Sequence, residues 1–163
     1  MSNRFIKNFL KLGNLIHFSL PTFASESLMS TGINGITATP TAAYRVIGLT
    51  SRLGNGFTFI GSSSIVLTFN EAVAVYALTY IRGGVTGSTY NGGLSNLQGS
   101  NDGTNWATLF TGDGNAAGTD YSYSTIANTT KYSKYKFNIE CPSSVGASTC
   151  AVGAINLYYD KTL

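Results

Sequence analysis

Residues that could perform acid–base or nucleophilic catalysis are scarce in this sequence. His17 is the single histidine and lies near the N-terminus, and only seven aspartate and glutamate residues are spread over 163 positions. A Ser/His/Asp or Cys/His arrangement needs a histidine beside the nucleophile, and a glycosidase needs two carboxylates across one bond. The glycine-rich segment GDGNAAG at 112–118 is not followed by Lys and Ser or Thr, so it does not predict a phosphate-binding loop. We therefore expect no enzymatic activity and no cofactor.

Two polar loops carry the residue types that hold sugar hydroxyl groups. An aromatic ring can lie against a sugar, while arginine and amide side chains can form paired hydrogen bonds with its hydroxyls. Tyr80 and Tyr90 also have another interpretation, as a sheet residue and an exposed loop residue respectively. The candidate glycan-binding residues are Arg52 and Asn55 on one loop, and Tyr80, Arg82, Tyr90 and Asn91 beside the other.

Two cysteines, Cys141 and Cys150, enclose a short segment rich in serine with one proline and one glycine. Such a segment can return one strand to its neighbour, and a disulfide across its base is sterically reasonable. The alternative is a pair of free thiols in a reducing compartment. With no second cysteine pair and one distant histidine, the spacing does not favour a metal site.

The first 32 residues combine basic and large apolar side chains. Their outline is that of a secretory signal, but polar residues and a proline interrupt the apolar run, so we expect the segment to be retained as an arm. Phe5, Phe9, Leu12 and Ile16 follow a helical spacing that places them on one stripe. We expect the arm to dock on another protein, and a helix on a membrane surface is the alternative. The residues assigned to this arm are Arg4, Phe5, Ile6, Lys7, Phe9, Leu10, Lys11, Leu15, Ile16 and Phe18.

The charge of the remaining chain is balanced, with seven bases against seven acids after the first eleven residues. A nucleic-acid-binding surface needs clustered basic side chains to displace counterions from phosphates. The sequence also contains no run of 18 or more apolar residues. We therefore expect neither a nucleic-acid partner nor a transmembrane segment.

From residue 33 onward, short segments of alternating apolar and polar residues predict β-strands. SIVLTF and VAVYALTYI, at 64–69 and 73–81, are separated by NEA, which we expect to form a short turn or bend, and KYKFNI and AVGAINLYY repeat the pattern. Seven or eight such strands joined by glycine-rich loops predict an all-β fold. We expect a single jelly-roll β-sandwich over residues 33–163, preceded by the arm at 1–32. The residues expected to face the core are Ile65, Leu67, Phe69, Tyr135, Phe137, Ile139, Ile155, Leu157 and Tyr159.

The segment LQGSNDGTNWATLFTG, at 97–112, contains the clearest turn signal. Asp102 and Gly103 both tolerate the left-handed backbone of a tight hairpin turn. Trp106, the only tryptophan, follows the turn, and we expect its indole to cover one end of the core. This segment is therefore interpreted as a hairpin and not as a binding site.

The same segment resembles the signature hairpin of the discoidin, or coagulation-factor type C, family, whose members share a galactose-binding-like jelly roll. SSSIVLTFNEAVAVYALTYI, TTKYSKYKFNIE and AVGAINLYYD are similar to the paired early strands, a later strand and the closing strand of that family. The resemblance extends from about Ile33 to Asp160. It implies a galactose-binding-like fold.

The resemblance also implies a non-catalytic module that binds sugars, lipid head groups or proteins, of a type that also occurs in bacteriophage capsids, tails and fibres. Many members hold calcium near the early strands through an acidic residue, but TSRLGNGFTFIGSSS contains none, so we expect no metal. The first hypothesis is a bacteriophage virion protein, a capsid decoration or tail-fibre module on the particle surface, anchored to other virion proteins by the arm. The alternative is a carbohydrate-binding module that recognises cell-surface glycans. A secreted bacterial protein with a retained leader is a third interpretation, and homo-oligomers are compatible with each.

Overall fold

The computed structural model describes residues 18–19, 36–47, 56–83, 89–114, 120–142 and 149–160. Within these ranges the protein consists of β-strands and one short 3-10 helix, so the all-β prediction is confirmed. There are ten described strands, more than the seven or eight expected, because short segments such as β1 and β5 also pair. The strands are β1 (Phe18–Ser19), β2 (Ile36–Thr39), β3 (Phe57–Ile60), β4 (Ser62–Arg82), β5 (Thr89–Asn91), β6 (Gly93–Ser100), β7 (Ala107–Thr111), β8 (Tyr121–Thr125), β9 (Tyr132–Glu140) and β10 (Thr149–Asp160), and the 3-10 helix is Thr41–Val46.

The described strands form two layers that share β4. Its first part pairs with β2 and β9, and β9 continues through β6 to β7; we call these strands layer B. The second part of β4 pairs with β8 and β10, and β10 also pairs with β1, β3 and β5; we call these strands layer A. Apart from the parallel pair of β5 and β10, all these strand pairs are antiparallel.

Of the two alternatives for NEA, a turn or a bend, the structure has the bend: β4 runs through this segment without a break, from Ser62 to Arg82. Thr68 pairs with Lys134 and Val73 pairs with Tyr132, so β4 has more residues than β9 between these two pairs. The surplus residues, at 70–72, are exposed. A β-bulge of this kind bends a strand, and here it lies where β4 passes from layer B to layer A.

The core lies between the two layers. Alternation predicts the inward positions of layer B correctly: Ile65 and Leu67 of β4 and Phe137 of β9 are fully buried, and their sequence neighbours are half-buried. Ring contacts join the layers, since the Tyr80 ring lies 6.5 Å from that of Phe137. The other predicted core residues, Phe69, Tyr135, Ile139, Ile155, Leu157 and Tyr159, are also buried.

In layer A, the second part of β4 is buried on both faces. Leu78 and Tyr80 belong to the core, and Ala77 and Thr79, on the opposite face of β4, are also 0% exposed. The strict alternation predicted for 73–81 fails at Tyr76, because the pairing of β4 with β10 shifts register between Val75 and Ala77. A one-residue slip moves the following side chains to the other face of the sheet.

The buried hydroxyl group of Tyr135 supports the backbone of β4 at this irregularity. Its oxygen accepts a hydrogen bond from the Val75 N–H at 3.3 Å, and the same hydroxyl donates to the carbonyl oxygen of Val73. Because buried backbone groups must find partners, this side chain replaces bonds that a regular ladder would supply. Burial raises the pKa of Tyr135, so the hydroxyl stays protonated and able to donate.

The predicted disulfide and one residue of the predicted arm lie at the ends of described strands. Cys141 and Cys150 form a disulfide that joins the end of β9 to the start of β10, with Cα atoms 5.7 Å apart. Phe18, assigned to the arm, pairs with Tyr159 of β10. The arm and domain division itself stays a prediction. The other assigned arm residues lie outside the described residues: Arg4, Phe5, Ile6, Lys7, Phe9, Leu10, Lys11, Leu15 and Ile16.

Candidate functional site

Tyr80, one of the candidate glycan-binding residues, is part of the core. Its side chain is 0% exposed, and its hydroxyl donates a hydrogen bond of 3.0 Å to the carbonyl oxygen of Gly92. Burial raises its pKa. A ring enclosed in this way cannot lie against a sugar, so assigning Tyr80 to a glycan site is wrong.

Arg82, at the end of β4, is bound to an acidic partner. Its backbone N–H donates to Asp120 Oδ1 at 3.0 Å, and its Nε lies 3.4 Å from the same oxygen. The Arg82 side chain is only 11% exposed, so its guanidinium is held beside the sheet. Tyr90 and Asn91 lie in β5, whereas Arg52 and Asn55 lie outside the described residues. The described part of the predicted glycan site therefore includes a buried tyrosine and an arginine that is already paired, besides the two residues of β5.

The hairpin between β6 and β7 is confirmed, and side-chain hydrogen bonds hold its turn. Asp102 Oδ1 accepts hydrogen bonds from the backbone N–H groups of Thr104 and Asn105 at 2.7 and 2.8 Å, and from the Ser100 hydroxyl at 3.0 Å. Gly103 has a φ of 81°, which favours glycine. Hydrogen bonds from the Asn105 backbone and side chain, and from Thr104, hold the pKa of Asp102 well below its usual range.

The indole of Trp106 does not cover the core, contrary to the sequence prediction. Leu97 pairs with Phe110 and Gln98 pairs with Thr108, so Leu109 is an extra residue in β7. This one-residue bulge puts Thr108, and with it Trp106, on the outer face of layer B, while Phe110 packs against the core. Simple alternation backward from Phe110 would have placed Trp106 inside.

On this outer face, Trp106 is fixed at its polar edge and covered on its ring by a cation. Its Nε1–H donates to the carbonyl oxygen of Gly103 at 3.0 Å. The Nζ atom of Lys136, on β9, lies 4.2 Å from the centre of the indole ring. This is a cation–π contact, and it stabilises both side chains on the surface.

A row of amide side chains continues from this pair across the sheet. Asn138 Nδ2 donates to Asn96 Oδ1 at 2.7 Å and to Gln98 Oε1 at 3.1 Å, and Gln98 Nε2 donates to Thr108 Oγ1 at 3.4 Å. The register accounts for the row, since Asn138 pairs with Asn96, and Lys136 with Gln98. We call this surface the amide–indole face: Asn96, Gln98, Trp106, Thr108, Lys136 and Asn138.

The amide–indole face offers an unused donor and an unused acceptor. Among the described residues, neither Asn96 Nδ2 nor Asn138 Oδ1 takes part in a hydrogen bond, although their other amide atoms do. The side-chain amides of Asn96 and Asn138 therefore each have a fixed orientation and one remaining polar atom. Together these atoms are a donor and an acceptor, which match two neighbouring hydroxyl groups, because a hydroxyl can both donate and accept. A surface that combines an aromatic ring with such polar groups is suited to bind a polar ring compound.

The alternation that places Tyr135, Phe137 and Ile139 in the core also puts the residues between them, such as Lys136 and Asn138, on the outer face of β9, but it assigns no site there. The missing residue was Trp106, because nothing in the letters of β7 marks Leu109 as a bulge. A useful signal was the stretch Asn96 to Gln98, whose amides lie on either side of the core residue Leu97.

Metal-binding groups and membrane-spanning helices are both absent from the residues that the structure describes. In the ranges covered by the structure, no three His, Cys, Asp or Glu side chains come together in a group that could hold a metal ion. No helix in the described part of the chain has the length and apolar character needed to cross a membrane.

The two-layer fold is that of a galactose-binding-like β-sandwich, and this prediction is confirmed by structural similarity. The chain is similar to the module CpGH89CBM32-6 produced by Clostridium perfringens, with a TM-score of 0.51, 14% identity, and coverage of 78% of this chain and 96% of that one. It is also similar to the CBM32 of AlyQ, solved in complex with 4,5-unsaturated mannuronic acid, with a TM-score of 0.50, 11% identity and coverage of 85% and 96%. No family model matches the sequence, and no curated protein matches it.

Proposed function

We propose that this protein is a non-catalytic carbohydrate-binding module that holds glycans on its amide–indole face. The observation that carries the proposal is the combination of an exterior indole with an oriented amide row on one sheet surface. Sugars present apolar ring faces and hydroxyl groups side by side, and this face presents a ring and amides in the same way.

The fold supports this function as well. Both similar structures are of carbohydrate-binding modules, a class without catalytic activity, and one of them holds an unsaturated mannuronic acid. At 11% to 14% identity their ligand sites do not transfer to this chain. The location of the site therefore depends on the residues of the amide–indole face alone.

The test is a binding screen of the full chain against immobilised neutral and acidic polysaccharides. We expect at least one of them to bind, and we expect Trp106→Ala to weaken that binding by about tenfold or more, as is common for a central aromatic contact. Trp106 lies outside the buried core, so this variant should fold.

The matched control is Tyr123→Ala, because Tyr123 is also an exterior aromatic residue, 52% exposed, but lies in layer A against Tyr158. We expect its glycan binding to equal that of the unmodified protein. Absence of binding to every glycan, or the same loss in both variants, contradicts the proposal.

The virion hypothesis stays a prediction, together with its location on a phage particle. It depends on the arm, of which the described residues include only Phe18 and Ser19. Incorporation of the full chain into phage particles, with no glycan bound in the screen above, would favour that role over the one proposed here.

A further inference from the structure

The ring that a sugar would use on the amide–indole face is already covered. Lys136 Nζ lies 4.2 Å from the centre of the Trp106 ring, and the polar edge of the indole is bound to the Gly103 carbonyl. A sugar ring can therefore reach this face of the indole only when the ammonium group moves away. Lys136 has a long side chain with several rotatable bonds, so such a movement needs no change in the backbone.

The charges around Lys136 do not neutralise it. Within the described ranges, neither Lys136 nor Lys134 makes an ion pair. Asp102, the acid of the adjacent turn, accepts hydrogen bonds from Ser100, Thr104 and Asn105 with its carboxylate oxygens. Glu140 also points outward on β9 but lies two positions beyond Asn138, opposite Ser62 and Gly93. The centre of the amide–indole face is therefore cationic.

From these contacts we propose that the amide–indole face selects sugars that carry a carboxylate, and that Lys136 is the selecting residue. This inference rests on the proposed glycan binding. The carboxylate of a uronic acid is bonded directly to a ring carbon, so one sugar can attract the ammonium group and place its ring on the indole. A neutral sugar must displace Lys136 and offers the ammonium no charged acceptor in return.

The two classes of sugar should differ measurably in affinity. Loss of a surface cation–π contact penalises a neutral sugar by about two- to fivefold. An acidic sugar replaces this contact with a charge-assisted hydrogen bond, which is stronger than a neutral one. We expect a total preference of about tenfold for the acidic sugar, which decreases as salt screens the charges.

The experiment uses the full chain and two forms of one polymer: polygalacturonate, and the same polymer after its carboxyl groups have been reduced. Dissociation constants are measured by calorimetry at low and at high salt. The unmodified protein should bind polygalacturonate about tenfold more tightly than the reduced polymer at low salt. Lys136→Gln should weaken binding of polygalacturonate and strengthen binding of the reduced polymer, because the indole is then uncovered.

Lys134→Gln is the matched control, because it removes the same charge from the same strand. Lys134 lies against the hairpin turn, where its Cδ would be 3.4 Å from a side chain at Gly103. It should weaken binding of polygalacturonate less than Lys136→Gln does, and leave binding of the reduced polymer unchanged.

The outcomes separate this inference from the proposed function. Equal affinity of the unmodified protein for the two polymers overturns the selectivity and leaves glycan binding intact. Similar effects of Lys136→Gln and Lys134→Gln on both polymers overturn the role of Lys136, since general charge attraction would then account for the preference. If the protein binds neither of the two polymers and no glycan of the wider screen, the proposed function itself is removed.

Discussion

The outer faces of the two layers have opposite characters, although one strand contributes to both. In the second part of β4, outward residues such as Ala77 and Thr79 are fully buried, as is Asn156 beside them on β10. In the first part, outward residues such as Val66 and Thr68 are half-buried and lie next to the lysines of β9. Along β4, therefore, the outer face of layer B is more accessible to a ligand than that of layer A.

The sequence of β4 contains this difference. A strand with one accessible face alternates between apolar and polar residues, as SIVLTF does, whereas a strand buried on both faces has a nearly continuous apolar run, as VAVYALTYI does. The small outward residues of layer A, chiefly alanine, are suited to close approach and not to binding through long polar side chains. Along β4, the outward side chains that a ligand can reach thus lie in the part with the alternating pattern.

The largest effect should come from placing the same charge on each outer face. Ala77→Asp buries a carboxylate beside Thr125 and Tyr158, and we expect it to lower the free energy of unfolding by about 3 kcal/mol or more. Thr68→Asp places the carboxylate opposite Lys134 on an accessible surface, where the change should be within about 1 kcal/mol. Chemical denaturation of both variants measures the difference. Equal losses would mean that the two faces are not distinct.

The next effect concerns the junction where β4 changes layers. Tyr135→Phe leaves the Val75 N–H and the Val73 carbonyl without this buried partner, and should cost about 1–3 kcal/mol of the free energy of unfolding. The control is Tyr132→Phe, since the Tyr132 hydroxyl makes no hydrogen bond within the described residues and its removal should cost less than about 0.5 kcal/mol. Similar losses in the two variants would show that the hydroxyl of Tyr135 does not support the junction.

The alternation within β9 could be predicted because it depends only on the period of the strand. Tyr135, Phe137 and Ile139 face the core, and Lys134 and Lys136 face outward, as expected. The hairpin could be predicted for a similar reason, since Asp102 and Gly103 set the turn by local backbone preference. Local rules therefore determined the strands and the turn that position the candidate site.

The candidate site itself could not be predicted, because it depends on register between strands. The bulge at Leu109 decides that Trp106 lies outside, and its position is set by the pairing of β7 with β6. The position of Tyr80 inside the core likewise follows the register shift near Tyr76. Each irregularity adds one residue to a strand, so the side chains beyond it lie on the other face of the sheet. Alternation counted along a single strand cannot detect this change.

The turn that holds Trp106 allows a test by pH. Its hydrogen bonds lower the pKa of Asp102 from the usual 3.8, so the carboxylate stabilises the turn above that pH and loses this effect only as the pH falls further. Asp102→Asn should weaken the turn at neutral pH and shift the emission of Trp106, the only tryptophan. Its effect on the free energy of unfolding should be smaller than that of Tyr135→Phe. In the unmodified protein the emission should stay constant down to about pH 4. A shift of the emission between pH 7 and 5 would contradict the assigned role of Asp102.

The smallest effect should come from the end of the amide row. Thr108→Val keeps the shape of the side chain and removes the acceptor of Gln98 Nε2, a bond that is long at 3.4 Å and close to solvent. We expect a stability change within about 0.5 kcal/mol and a loss of glycan affinity of less than about threefold. Asn138→Ala removes the donor shared by Asn96 and Gln98, so its loss of affinity should be clearly larger, because both amides then lose their fixed orientation. If the two variants bind equally well, the order of the amide row does not contribute to binding, and the indole with its lysine is what distinguishes the outer face of layer B from that of layer A.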